Sequence, residues 1–281
     1  MRLACVSHQF ERKIAQIVGD EALLLDHNCD GSGVVGALRA GAHRRPPTKI
    51  VPLGECTFHA PVPVPPRVFG LGLNYKDHAA ETGRVAPDVQ TWFMKQPTSV
   101  NPPFAPVEKP VVSDALDFEV ELVAIIGARA RHVPEARAHE VIAGYCVGCD
   151  YSVRDWQRAT PTMMMGKGFD THAPFGPWLV TPDEIEDLSH LRLRCFVNGT
   201  KMQDGCVGDM VFTLPQMIAH LSAAMTLLPG DVIFTGTPAG VGIARTPPLF
   251  LKAGDTVRCE IDQIGAIEQA IVNEVKALVL D

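Results

Sequence analysis

One hexapeptide constrains this chain more than any other. Asp117-Phe118-Glu119-Val120-Glu121-Leu122 alternates acidic with apolar residues and runs on as Val123–Ile126 to Gly127. Period-two alternation marks a β-strand, whose successive side chains project to opposite faces. Phe118, Val120 and Leu122 then suit a core, while Asp117, Glu119 and Glu121 share the other face. Three carboxylates on one face repel each other unless a cation or basic groups neutralise them. The alternative is a solvated face of an antiparallel sheet, which needs no such partner. Asp150 bears on the choice, because it ends the apolar run Tyr145–Cys149. An acid at the end of a buried strand opens onto a cavity. All-oxygen ligation of this kind suits Mg²⁺, with Mn²⁺ or Ca²⁺ as further fits, and not zinc. Contact between Asp150 and the two glutamates is tertiary, and sequence alone does not supply it.

The remaining pattern is mostly strand. Val68–Leu73, Leu191–Val197, Asp231–Thr235, Leu249–Leu251, Thr256–Ile261 and Ala266–Val275 read as strands. Asn198-Gly199 is a strong hairpin signal, and Val18-Gly19-Asp20-Glu21 reads as another turn between short strands. Helices are expected at Val34–Ala40, Ala136–Ala143 and Leu214–Leu227, the last opened by a Thr213/Gln216 capping box. Strands outnumber helices and rarely alternate with them, so the class is mainly β with a few helices (α+β) and not a doubly wound sheet. Pro61-Val62-Pro63-Val64-Pro65-Pro66 denies the backbone its donors and divides the chain. Residues 1–66 are expected to be a small N-terminal domain with its connector, and residues 67–281 the main domain.

Composition closes off several classes. The 281 residues are 46% hydrophobic, which excludes a disordered chain. A net charge of −7 argues against nucleic acid as a partner. No run approaches the ~20 apolar residues of a membrane span, and the N-terminus lacks the apolar core of a signal peptide. A soluble, cytoplasmic protein with no membrane partner is expected. The eight cysteines are scattered, as free buried thiols would be. Cys146-Val147-Gly148-Cys149 has no second pair to complete a zinc site, and reads as packed strand thiols.

Six segments in order carry a resemblance: Gly70–His78, Phe93–Pro97, Asp117–Leu122, Gly148–Gln157, Gly166–Asp170, and Pro229–Asp231 with Thr235–Gly242. From about Val68 to about Val275 the chain resembles the fumarylacetoacetate hydrolase family. The resemblance implies a distorted β-roll catalytic domain, usually a homodimer, with a divalent metal in its cavity. It makes Glu119, Glu121 and Asp150 the metal ligands and leaves Asp117 a supporting acid. His78 and Glu81 match a catalytic dyad on a flexible lid, and their i, i+3 spacing puts both on one side of a helical turn. Lys95 and Lys167 match lysines that point into the site, with Gly166 and Gly168 letting the backbone approach a ligand. Arg154 and Gln157 match a polar wall, and Thr237 a hydroxyl that binds the substrate carboxylate. Met163–Met165 read as packing or as an adaptable pocket lining.

The expected substrate is a small oxoacid. The expected activity is metal-dependent hydrolysis of a carbon–carbon bond in an acylpyruvate-like 2,4-dioxo acid, with His78 and Glu81 delivering water and Lys167 stabilising the enolate. Oxaloacetate-type decarboxylation, dienol isomerisation or hydration is the alternative on the same fold. A non-catalytic metal- or oxoacid-binding protein is the alternative of another class.

Overall fold

The computed structural model describes residues 1–276. The chain opens with β1 (Arg2–His8), β2 (Glu11–Val18) and β3 (Glu21–Asn28), then α1 (Gly33–Arg39), β4 (Lys49–Pro52) and β5 (Thr57–His59). The turn between β2 and β3 falls at Gly19-Asp20, where the patterning places it. After the prolines come β6 (Val68–Gly72), α2 (Lys76–Glu81), β7 (Thr91–Lys95), β8 (Val100–Asn101), β9 (Val107–Lys109) and β10 (Leu116–Asp117). Next are β11 (Val120–Ile126), β12 (Ile142–Cys149), β13 (Ser152–Val153), α3 (Arg154–Arg158), α4 (Met164–Lys167) and β14 (Ala173–Val180). The chain continues through β15 (Arg192–Val197), β16 (Thr200–Cys206), α5 (Leu214–Ala224), β17 (Val232–Phe234), β18 (Thr256–Ile261) and β19 (Gly265–Asn273). Mainly β with a few helices is therefore the observed class.

The larger sheet runs β4-β3-β2-β1-β14-β12-β11-β17-β6-β7, and a second sheet runs β16-β15-β18-β19-β9. The N-terminal strands and the strands after the prolines thus share one sheet, joined where β1 pairs with β14. A core of Val120, Leu122, Val147 and Cys149 from the larger sheet, with Phe118 just ahead of it, packs with Cys195, Val257 and Cys259 from the second. Helix α5 closes one side with Leu214, Met217, Ile218 and Leu221 buried, each contributing on the order of 1.5–3 kcal/mol. Its Thr213/Gln216 capping box forms as the sequence indicates.

Several local expectations are corrected. The segment expected as a helix at Ala136–Ala143 is a tight 3₁₀ turn, Glu135–Val141, because Ile142 is drawn into the sheet against Ile126. Leu249–Leu251 forms no strand. Pro247 and Pro248 precede it without donors, and its amides bond singly to Gly242 and Leu116. Helix α5 stops at Ala224, short of Leu227. Cys5 and Cys29 are joined in a disulfide, so not all eight cysteines are free. Cys146 and Cys149 are buried strand thiols.

Candidate active site

The alternating hexapeptide does not run as one unbroken strand. Asp117 closes β10, Phe118 and Glu119 carry no ladder, and β11 starts at Val120. All four acids are buried nonetheless, Asp117 and Asp150 completely. The solvated-face alternative is thereby excluded. Strand pairing brings Asp150 to the glutamates. In the antiparallel β11–β12 ladder Val120 faces Cys149 and Glu121 faces Gly148, so the next step out sets Glu119 opposite Asp150. The Asp150 amide donates to the Glu119 carbonyl at 2.8 Å. One carboxylate oxygen from each of Glu119, Glu121 and Asp150 lies within 4.8 Å of the others.

Basic groups crowd this floor. Lys167 Nζ donates to Glu119 Oε2 and Asp150 Oδ2, both at 2.6 Å, and lies 4.9 Å from the Phe93 ring centroid. Lys95 Nζ donates to Asp150 Oδ1 at 2.5 Å and to the Tyr151 carbonyl at 3.1 Å. Arg154 pairs with Asp117 through Nε at 2.8 Å and with Glu119 through Nη2 at 2.7 Å. Burial opposes charge on Glu119, but Arg154 and Lys167 outweigh it and hold that carboxyl below its ordinary range. Burial also opposes charge on Lys167, where Asp150 and Glu119 prevail and raise its pKa. Lys95 goes the other way, its pKa lowered by complete burial.

Glu121 is the exception. It accepts one amide N–H, from Gly236 at 2.6 Å, and among the described residues no cation pairs with it. Burial, with Asp150 and Glu119 beside it, raises its pKa well above the carboxylate range. Four carboxyl groups thus face three cations, leaving Glu121 without a counter-charge when it ionises. A buried surplus charge is costly unless something neutralises it. An all-oxygen donor set with a negative surplus fits a hard divalent ion such as Mg²⁺.

Above the floor, His78 and Glu81 lie on α2. His78 Nδ1 pairs with Glu81 Oε1 at 2.8 Å, and Glu81 Oε2 accepts from the Gly240 amide at 2.8 Å. Gly240 sits at φ +110, where a side chain would collide with the Met202 carbonyl. Both residues engage, and His78 lines a cavity of about 600 Å³ together with Glu119, Glu121, Arg154, Lys167 and Thr237. With Nδ1 occupied, Nε2 is the ring nitrogen left for the cavity.

The remaining site residues fall in different places. Gln157 lines the cavity and accepts from Arg154 Nη1 at 2.9 Å. Lys95 is not on the cavity wall; it sits behind Asp150 with no exposed side chain. The Thr237 hydroxyl is already committed, donating to the Val120 carbonyl at 2.9 Å and accepting from Gln203 Nε2 at 2.7 Å. Gly166 serves packing between helices: a side chain there would collide with the backbone of Gln157. Of the three methionines, Met163 lines the cavity, while Met164 and Met165 are exposed.

One contributor, Gln203, escapes the sequence reading, while Asn74 of the Gly70–His78 segment acts as local scaffolding. Gln203, from the hairpin strand β16, ties Thr237 and the Val120 amide together between the two ligand glutamates. Asn74 bonds the Thr235 carbonyl at 2.7 Å and the Phe212 backbone, holding the loop after β17. No local signal distinguishes Gln203; its neighbours are brought by pairing, not by spacing. Asp117, by contrast, behaves as a supporting acid, accepting from Arg154 and from the Gly242 and Ile243 amides.

The fumarylacetoacetate (FAA) hydrolase C-terminal sequence profile matches residues 67–272. The chain belongs to the fumarylacetoacetate hydrolase family. The human mitochondrial oxaloacetate tautomerase FAHD2A is 43% identical over 225 residues, covering 79% of this chain and 72% of that protein. The structure described as 5-carboxymethyl-2-hydroxymuconate delta-isomerase from Mycobacterium smegmatis superposes with a TM-score of 0.82 at 34% identity, covering 98% of this chain and 100% of the other. A maleylpyruvate hydrolase from Sphingobium matches with a TM-score of 0.78 at 29% identity, over 98% of this chain and all of that one. These relatives are enzymes of the family with different reactions. Among the described residues no helix is long and apolar enough to cross a membrane.

Proposed function

We propose that this chain enolises a 2-oxo acid with the help of Mg²⁺, moving a proton between C3 and the 2-oxo oxygen. The observation that carries the reading is that His78, held by Glu81, lines the same cavity as Glu119 and Glu121 of a buried cluster with one more acid than cations. Bound by Glu119, Glu121 and Asp150, the ion would supply a Lewis acid that polarises the 2-oxo group. His78 Nε2 takes the C3 proton, and Glu81 on the opposite ring nitrogen orients the imidazole and stabilises its charged form. The same imidazolium returns the proton to oxygen. Lys167, whose ammonium faces the floor, offsets negative charge developing on the substrate oxygen. The name of the human relative, a tautomerase, supports this choice of reaction.

A second reading is hydrolytic cleavage of an acylpyruvate-like 2,4-dioxo acid, in which His78 activates water. The cavity volume favours it: about 600 Å³ falls among sites for drug-sized ligands, roughly 300–1,000 Å³, and exceeds what a four-carbon acid fills. One experiment separates the two. Purified protein with Mg²⁺ is given oxaloacetate and an acylpyruvate, following C3 deuterium incorporation and loss of the acylpyruvate chromophore. Exchange that disappears in His78→Ala supports enolisation. Chromophore loss from the acylpyruvate with no exchange into oxaloacetate selects hydrolysis, and full activity after exhaustive chelation overturns the metal.

A further inference from the structure

We infer that Arg84 and Arg158 form a specificity subsite that reads a second carboxylate at the far end of the substrate. The inference rests on the 2-oxo acid reading above and extends it to the substrate's other end. Both arginines line the cavity and both are exposed. They come from separate parts of the chain: Arg84 follows α2, and Arg158 is the last residue of α3.

Their lack of partners is the point. Of the cavity's other cations, Arg154 and Lys167 are committed to carboxylates of the floor. Among the described residues neither Arg84 nor Arg158 has an acidic partner, and the acids lining the cavity are Glu119 and Glu121, both buried in its floor.

Helix geometry gives the spacing. Arg154 and Arg158 are four apart on α3, hence on one face and about one turn, ~5.4 Å, apart along the axis. Arg154 is buried and Arg158 exposed, so the turn runs from floor to mouth. An acid anchored at the floor by its 2-oxo end presents its far end at Arg158. A guanidinium fork pairs with a planar carboxylate through two parallel N–H···O bonds. Apolar walls from Leu71, Phe93 and Ile243 suit the methylene chain between the two ends. The substrate class is therefore a 2-oxo dicarboxylic acid of more than four carbons.

The test compares acids matched in length, 2-oxoadipate and 2-oxohexanoate, with Mg²⁺ present. Deuterium exchange at C3 gives kcat/KM, and calorimetry on the His78→Ala background gives affinity without turnover. Wild type should favour the diacid at least about tenfold, since a site built for a polar group rejects the analogue lacking it. Arg158→Gln and Arg84→Gln should each raise KM for the diacid far more than for the monoacid, and the double variant should erase the preference. Arg158→Lys should restore part of it, as charge without the fork. Equal losses on both acids, or no preference in wild type, overturn the subsite. If no acid exchanges but calorimetry shows the arginine-dependent diacid preference, the enolisation reading fails and the subsite stands. If exchange proceeds with no preference, the subsite fails and the reaction stands.

Discussion

The floor and the mouth of the cavity are built on opposite principles. On the floor every acid but one is paired and buried, and Glu119, Glu121 and Asp150 are held at or beside the paired ends of strands β11 and β12. At the mouth the arginines are exposed, unpaired and carried on short helices or the segment beyond them. A buried, crosslinked floor gives rigid placement but cannot adapt. An exposed mouth costs little to change and can discriminate among substrates. The difference teaches that reaction type and substrate choice occupy separate layers here, consistent with relatives that keep the fold and carry different names.

The contrast can be broken most severely at the floor. Glu119→Gln should abolish turnover and also destabilise the metal-free protein by about 3–5 kcal/mol, because Arg154 and Lys167 each lose a buried partner. Glu121→Gln sharpens the point by acting with opposite sign. It removes the acid that lacks a counter-charge, so the metal-free Tm should hold or rise. The Mg²⁺-induced stabilisation, about 2.7 kcal/mol at a hundredfold excess over Kd, should vanish. Thermal scans with and without Mg²⁺ check both, and equal Tm losses in the two variants would refute the charge accounting.

Between floor and mouth, His78→Ala should remove roughly 10²–10⁴-fold of the rate while leaving oxalate binding near normal. Glu81→Gln should cost less, because the imidazole remains and only its orientation and charge partner weaken. An unchanged rate in His78→Ala would make the pair a structural hinge.

The smallest effect lies beneath the floor. His172 is buried, its Nε2 bonded to the Glu108 carbonyl at 2.8 Å, and its own carbonyl holds the amide of Tyr151, next to Asp150. Burial lowers its pKa from 6.5 to about 3. The unfolded chain then binds a proton that the folded chain refuses, so this stability is present above pH 6.5 and is lost as pH falls toward 3. His172→Gln, which keeps an N–H for Glu108, should flatten the fall in Tm between those values. An unaltered acid limb would exclude His172 as its source.

Much of this was legible in the chain itself, for physical reasons. Glu119 and Glu121 share a face because strand periodicity is local, and the Thr213 cap is a four-residue event. Asp117 shows where locality ends: its parity matches the glutamates, but the ladder breaks at Phe118 and Asp117 turns to Arg154. The meeting of Glu119 with Asp150 depends on the register between two separate strands, which no local window contains. Gln203 is invisible for the same reason, and Lys95 is picked out by the resemblance and by no local pattern, since each finds its partners only after sheets have paired. The 3₁₀ turn before β12 records competition, in which the sheet took a residue that propensity alone gave to a helix.

Glu81 divides its two oxygens between the imidazole of its own helix and the amide of Gly240 in the loop after β17. Docking of α2 and tuning of the base are therefore a single event. Were the helix to move off Gly240, the carboxylate would lose that anchor and with it the fixed position from which it holds the imidazole, so one side chain would link the seating of α2 to the readiness of the proposed base.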